Sequence, residues 1–135
     1  MKILIDTDVL LDLLLDRKPF SENAAKVLSL CEKNKIQGFV TAVTINNLYY
    51  ILRKSTSHKD ILTAIEKLLL IVDIPVTDKL CIERALKSGF KDFEDAIQNC
   101  TADCHLIQTI ITRNTKDYKK SRLNVLTPDR FLETI

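Results

Sequence analysis

Residues 3–14 read ILIDTDVLLDLL, and the fold turns on how this stretch divides. Lys2 to Ile5 is a short apolar run that stops abruptly at Asp6, which suits a buried strand, although period alone does not separate strand from helix at this length. Asp6 then marks the strand's carboxyl end. Val9 to Leu15 is apolar enough for a short helix, halted at Arg17-Lys18-Pro19 because proline restricts the residue before it.

The same order repeats down the chain. Ser21 is a suitable N-cap for a helix carrying Ala24, Ala25, Val27, Leu28 and Cys31 at helical spacing, ending near Lys35 before Gly38. Phe39 to Thr41 reads as a second strand and Val43 to Arg53 as a helix with Leu48, Ile51 and Leu52 on one side. Ser57 caps a further helix with an Ile61, Ala64, Ile65, Leu68, Leu69 stripe. Ile71 to Ile74 is strand three, Asp78 to Lys87 a helix closed by Gly89, and a helix from about Asp92 carries Ala96, Ile97, Cys100 and Cys104. Ile107 to Thr112 is strand four, Val125 with Leu126 a short fifth, and Pro128 opens a terminal helix. Strands alternating with helices imply right-handed crossovers and a central parallel sheet covered on both faces, a three-layer α/β/α domain over residues 1–135. Polar residues just past the strand ends then collect at one edge, where open sheets of this kind bind ligands.

Composition agrees with a single core of this size. Hydrophobic residues make up 46% of the 135 and there are two Gly and three Pro, so the chain can bury a core without disulfides. Twenty Lys and Arg against 18 Asp and Glu leave a net charge of +2, too little for general polyanion affinity, so nucleic-acid contact would need a local patch. Asp6 and Asp8 interrupt the apolar core a signal peptide would need, and no segment reaches membrane-spanning length, so the expected location is cytoplasmic. Cys31, Cys81, Cys100 and Cys104 sit in apolar helical patterns and read as reduced core thiols. Cys100, Cys104 and His105 have no second ligand pair to complete a zinc site.

The chemistry lies in the acidic residues. Asp6 follows strand one, Asp117 lies in the loop after strand four, and Asp92 with Asp95 opens the helix before strand four, so three distant segments bring carboxylates toward one edge. Such a cluster repels itself unless a cation neutralises it, and carboxylate oxygens are hard ligands suited to Mg²⁺ or Mn²⁺. Each residue also has a plainer reading: Asp92 as an N-cap, Asp117 as a loop residue, Asp8 and Asp12 as an exposed helix face. Asp6 resists one, because an acid ending a buried strand is desolvated unless something pairs with it.

Taken together, ILIDTDVLLDLL, VTINNLYYILRK (43–54), DFEDAIQNC (92–100) and IITRNTKDY (110–118) resemble a PIN domain, of the small bacterial kind found among VapC-like toxins. The resemblance spans essentially the whole chain. It implies a metal-dependent ribonuclease in which Asp6 and Asp95 hold one or two Mg²⁺ or Mn²⁺ ions, with RNA, an antitoxin protein and a second copy of the chain as partners. Where many relatives carry Glu after strand two this chain has Asn47, and where many carry Asp after strand four it has Asn114. Either Asn can coordinate only through a neutral carbonyl; Asp117 could supply a missing carboxylate and Asp8 could add another. Arg113, Lys116 and Lys119, with Lys120 and Arg122, form a basic stretch that could hold an RNA backbone.

Two other enzyme readings fit less well. Asp6-Thr7-Asp8 also resembles the nucleophile loop of HAD phosphatases, but Leu10 stands where that family usually has Thr or Val and no suitable Lys follows. A receiver domain needs an acid after strand three, where this chain has Pro75. The remaining rival is a binding module that keeps the PIN fold with an impaired site.

Overall fold

A computed structural model describes residues 1–135. Five strands, β1 (Lys2–Ile5), β2 (Gln37–Phe39), β3 (Val72–Asp73), β4 (Thr109–Ile111) and β5 (Asn124–Leu126), form one parallel sheet in the order β3-β2-β1-β4-β5. Seven helices connect and cover them: α1 (Thr7–Leu14), α2 (Ser21–Glu32), α3 (Ala42–Leu52), α4 (His58–Leu69), α5 (Lys79–Leu86), α6 (Phe93–Cys104) and α7 (Pro128–Glu133). A 3-10 turn spans Thr115–Tyr118. None of these helices is long and apolar enough to cross a membrane.

The layers follow from the strand period of two. In β1, Ile3 and Ile5 enter the larger core with residues of α1, α2, α3, α4 and α7, whereas Leu4 enters a smaller one with Ala102 of α6, Ile107, Ile110 and Tyr118. Neighbours in β4 divide likewise, Ile111 to the larger core and Ile110 to the smaller. Ala85 of α5 packs against Ala96 and Cys100 of α6. The result is the three-layer α/β/α architecture that the strand–helix alternation predicts. Gly38 permits the close seating of α2 on β2, since a Cβ there would meet the Cys31 sulfur at 2.6 Å.

Local differences from the sequence expectation come from capping. Thr41, expected to end strand two, instead leaves the sheet and accepts a hydrogen bond from the Thr44 amide as the N-cap of α3. Ser21 does not cap α2; it is the helix's first residue, buried, after Phe20. Ser57, Asp78 and Asp92 do cap α4, α5 and α6, and Pro128 occupies the first turn of α7. All four cysteines are free, with Cys31, Cys81 and Cys100 buried.

This topology selects one place for a site. From β1 the chain moves to β2 on one side, while β4 lies on the other, so the order reverses beside β1. A parallel sheet opens a crevice at such a point, beyond the carboxyl ends of the strands. Asp6 stands there, its amide donating to the Ile111 carbonyl of β4 at 2.9 Å.

Candidate functional site

Asp6 is the hub. It is the N-cap of α1, and its carboxylate is almost fully buried, at 8% exposure. Oδ1 accepts from the Thr7 amide at 2.7 Å and from Gln98 Nε2 at 2.8 Å. Oδ2 accepts from the Thr112 hydroxyl at 2.8 Å and lies 3.5 Å from the Tyr118 hydroxyl. Four groups from α1, α6, the end of β4 and the 3-10 turn thus answer the desolvation that singled Asp6 out in the sequence.

Three more acids surround it. Tyr118, whose ring belongs to the smaller core, sets its hydroxyl 3.3 Å from Asp95 Oδ1, so Asp6 and Asp95 share one phenol. Burial and then the charges of Asp6, Asp92 and Asp117 push the Asp95 carboxyl up to about 7. Asp8 accepts from the Arg113 amide at 3.1 Å on Oδ2, and its Oδ1 is buried with no partner at all. Burial and the Asp6 charge raise Asp8 to about 6 against the pull of Arg113. Glu94, at the rim, is raised by burial and by Asp92 and Asp6; Asn47 donates to its Oε1 at 2.5 Å. The Tyr118 phenol is held firmly protonated by burial between the two carboxylates.

Of the residues singled out in the sequence, the structure brings Asp6, Asp95 and Asp8 together and sets Asp117 on the exposed 3-10 turn close enough to act on Asp95. Asn114 is exposed at the start of that turn, its amide on the Thr112 hydroxyl. Asn47 reaches the site through Glu94. Asp92 caps α6 through the Asp95 amide. Lys116 and Lys119 are exposed beside Asp117.

Arg113 is placed differently from its neighbours. Its Nε and Nη2 donate to Asp12 at 2.6 and 3.0 Å, and its guanidinium stacks 3.9 Å from the centre of the Phe20 ring. Asp12 is not on an exposed helix face: it is completely buried, with Arg17 a second cation at 3.7 Å. This clamp ties α1 to the segment after β4.

Sequence reasoning missed Asp12, Gln98 and Glu94. Two of them carried a signal. Asp12 is four residues from Asp8, hence on the same helix face, and it interrupts an apolar run. Gln98 is three residues from Asp95 and shares its face of α6. It is 1% exposed, and its carbonyl accepts from Thr41 and Thr44 while its amide serves Asp6 and Tyr118.

The donor set can be tested against a metal. No three His, Cys, Asp or Glu side chains close into an all-protein ligand cage, and His105 is hydrogen-bonded to the Val76 carbonyl. An open group of carboxylates is what Mg²⁺ or Mn²⁺ uses, since such ions keep waters and take substrate oxygens with only one or two protein acids. The unpartnered Asp8 Oδ1 and the raised Asp8, Glu94 and Asp95 carboxyls are features a cation would relieve.

Comparison with known proteins agrees in fold. Solved structures similar to this chain include a toxin-antitoxin complex from Klebsiella pneumoniae, 26% identical, covering 93% of this chain and 97% of that one with a TM-score of 0.71. VapBC2 from Rickettsia felis bound to a promoter DNA fragment is 16% identical over 93% and 97%, TM-score 0.72. VapC20 of Mycobacterium tuberculosis, described as a Sarcin-Ricin loop cleaving toxin, is 16% identical over 80% and 86%, TM-score 0.64. No curated protein matches. The family model described as PIN domain matches residues 2–116, from the strand that ends at Asp6 into the turn that carries Asp117. The chain belongs to the PIN domain family.

Proposed function

We propose that the protein is a Mg²⁺- or Mn²⁺-dependent endoribonuclease, the toxin of a toxin–antitoxin pair. The observation that carries this is the convergence of Asp6, Asp8 and Asp95 at the sheet's switch point, with one buried carboxylate oxygen left unpartnered. Asp6, Asp95 and Asp117 would hold the ion, with Asp8 and Glu94 adjoining and Asn47 and Asn114 offering neutral carbonyl oxygens. A bound ion there supplies an activated water and stabilises charge on a scissile phosphodiester. The chain's own part is positional: Gln98, Thr112 and Tyr118 fix the Asp6 carboxylate, and the phenol keeps Asp95 at a set separation from it. Lys116 and Lys119 hold phosphates beside Asp117, while Arg113, bound to Asp12, serves RNA by anchoring the segment that carries them. The likeness to toxin–antitoxin complexes supports an antitoxin partner.

The second reading, a PIN-fold binding module without cleavage, is favoured by Asn47, whose amide is spent on Glu94 and adds no charge. RNA cleavage by the purified protein across a Mn²⁺ series, beside Asp6→Asn, decides between them. The nuclease reading expects metal-dependent cleavage lost in the variant. Equal inertness of both proteins leaves the binding module standing.

A further inference from the structure

Two open clefts meet beside the carboxylate cluster. The nearer, about 310 Å³, carries Lys91, Lys116, Lys119 and Lys120 with Asp92 and Asp117. The farther, about 520 Å³, carries Arg84, Lys87, Lys120 and Arg122 against one carboxylate, Asp103. Phe90 and Lys120 line both, so the clefts share a wall.

The concentration of cations is local. The whole chain is only +2, yet seven basic side chains gather here, and the chain's ion pairs all use other cations. Arg84 and Lys87 stand at the carboxyl end of α5, where positive charge complements a helix dipole. That explanation does not reach Lys120 and Arg122, which come from the turn before β5 on another wall of the cleft. Neutral and aromatic groups accompany them. Asn99 uses its carbonyl on the Ser121 hydroxyl, leaving its amide nitrogen without a partner in the chain. The half-buried Phe90 ring forms a T-shaped pair with Tyr118, 6.0 Å between centroids, and Tyr118 is the phenol between Asp6 and Asp95. A single-stranded nucleic acid asks for this combination: spaced cations for phosphates with an aromatic side chain on the path between them.

We infer that the farther cleft is a second RNA subsite. A strand held at the carboxylates crosses the Lys116 to Lys120 segment, passes Phe90, and seats its next phosphates on Arg84, Lys87 and Arg122. This rests on the ribonuclease reading of the carboxylate cluster, and it makes that enzyme's grip depend on substrate length.

The test measures binding in the Asp6→Asn background, so it does not depend on cleavage. Fluorescence anisotropy with RNA oligonucleotides of about four and about twelve nucleotides gives a long-over-short affinity ratio. Combining Arg84→Gln, Lys87→Gln and Arg122→Gln should cut that ratio by about tenfold, and should flatten the salt dependence of long-strand binding by about 0.7 in log–log slope per lost phosphate contact. Lys33→Gln, Lys35→Gln and Lys54→Gln together remove equal charge from side chains that line neither cleft, and should preserve the ratio. An unchanged ratio in the first triple variant, or an equal loss in the second, overturns the subsite. Failure of the nuclease reading shows separately, as equal inertness of wild type and Asp6→Asn toward RNA.

Discussion

Gln98 donates its amide to Asp6 Oδ1 at 2.8 Å from a position 92 residues later in the chain, a polar contact between α6 and the end of β1. The same side chain accepts from Thr41 and Thr44, so one neutral residue holds together three elements around the acid. Replacing it with Met keeps the volume and removes every polar contact. Each buried group left unpaired costs about 1–3 kcal/mol, so Gln98→Met should lower the urea midpoint clearly with an unchanged m-value. A midpoint equal to that of wild type would mean the network does not hold the site.

The Asp12–Arg113 clamp predicts an asymmetric pair of effects. Arg113→Ala leaves Asp12 buried with only Arg17 at 3.7 Å, and breaking a buried pair in this way costs about 3–5 kcal/mol. Arg113→Lys should recover little, since an ammonium cannot make the two-pronged contact or the stack on Phe20. Calorimetric melting of the two variants is the check; full rescue by Lys would reduce the clamp to a simple charge pair.

Asp8 and Asp95, raised from 3.8 to about 6 and about 7, make stability depend on pH in a definite sense. Between pH 4 and 7 the folded chain holds protons that the unfolded chain releases, so stability falls as pH rises through this window and levels above it. Depressed carboxyls such as Asp78 and Asp129 act with the opposite sign, but below that window. Metal-free protein should therefore melt lower at pH 8 than at pH 5, Asp95→Asn should flatten the difference, and Mn²⁺ should restore stability at pH 8 and release protons when it binds near pH 6. A melting temperature that climbs from pH 5 to pH 8 in chelator would contradict this.

Asn47→Glu sets a second carboxyl against Glu94, which now accepts from the Asn47 amide. Without metal the two acids repel, and the variant should be less stable than wild type at pH 8. With Mn²⁺ the added charge should tighten binding several-fold in a calorimetric titration. Unchanged affinity would place residue 47 outside the ion's reach.

The sequence and the structure agree where a local signal decided the outcome. Asp6 at a strand end, Pro128 opening a helix, and Ser57 and Asp92 as caps are short-range facts, legible from neighbours in the chain. The clamp is not: Asp12 breaks an apolar run, but nothing near it in the chain names its partner, an arginine 101 residues away. In the sequence Arg113 groups with the basic loop for the same reason: charge density is visible there and the partner that consumes it is not. Gln98 offers in the sequence only its place on the Asp95 face of α6, since a neutral amide does not name the carboxylate it serves. Of the site, the acids at strand and helix ends could be read directly, and the hydrogen-bonding frame around them came only with the fold.

The position of Tyr118 gives the protein a built-in optical probe. The chain has no tryptophan and three tyrosines, of which Tyr49 and Tyr50 lie together on α3, away from Asp6. A phenol in contact with carboxylates loses emission to them, so Tyr118 should be the dim member of the three in metal-free protein. An ion that draws Asp6 and Asp95 onto itself would remove the quencher. Occupancy of the cluster could then be followed as intrinsic tyrosine brightening, without label, nucleic acid or turnover, and Tyr118→Phe would silence the signal.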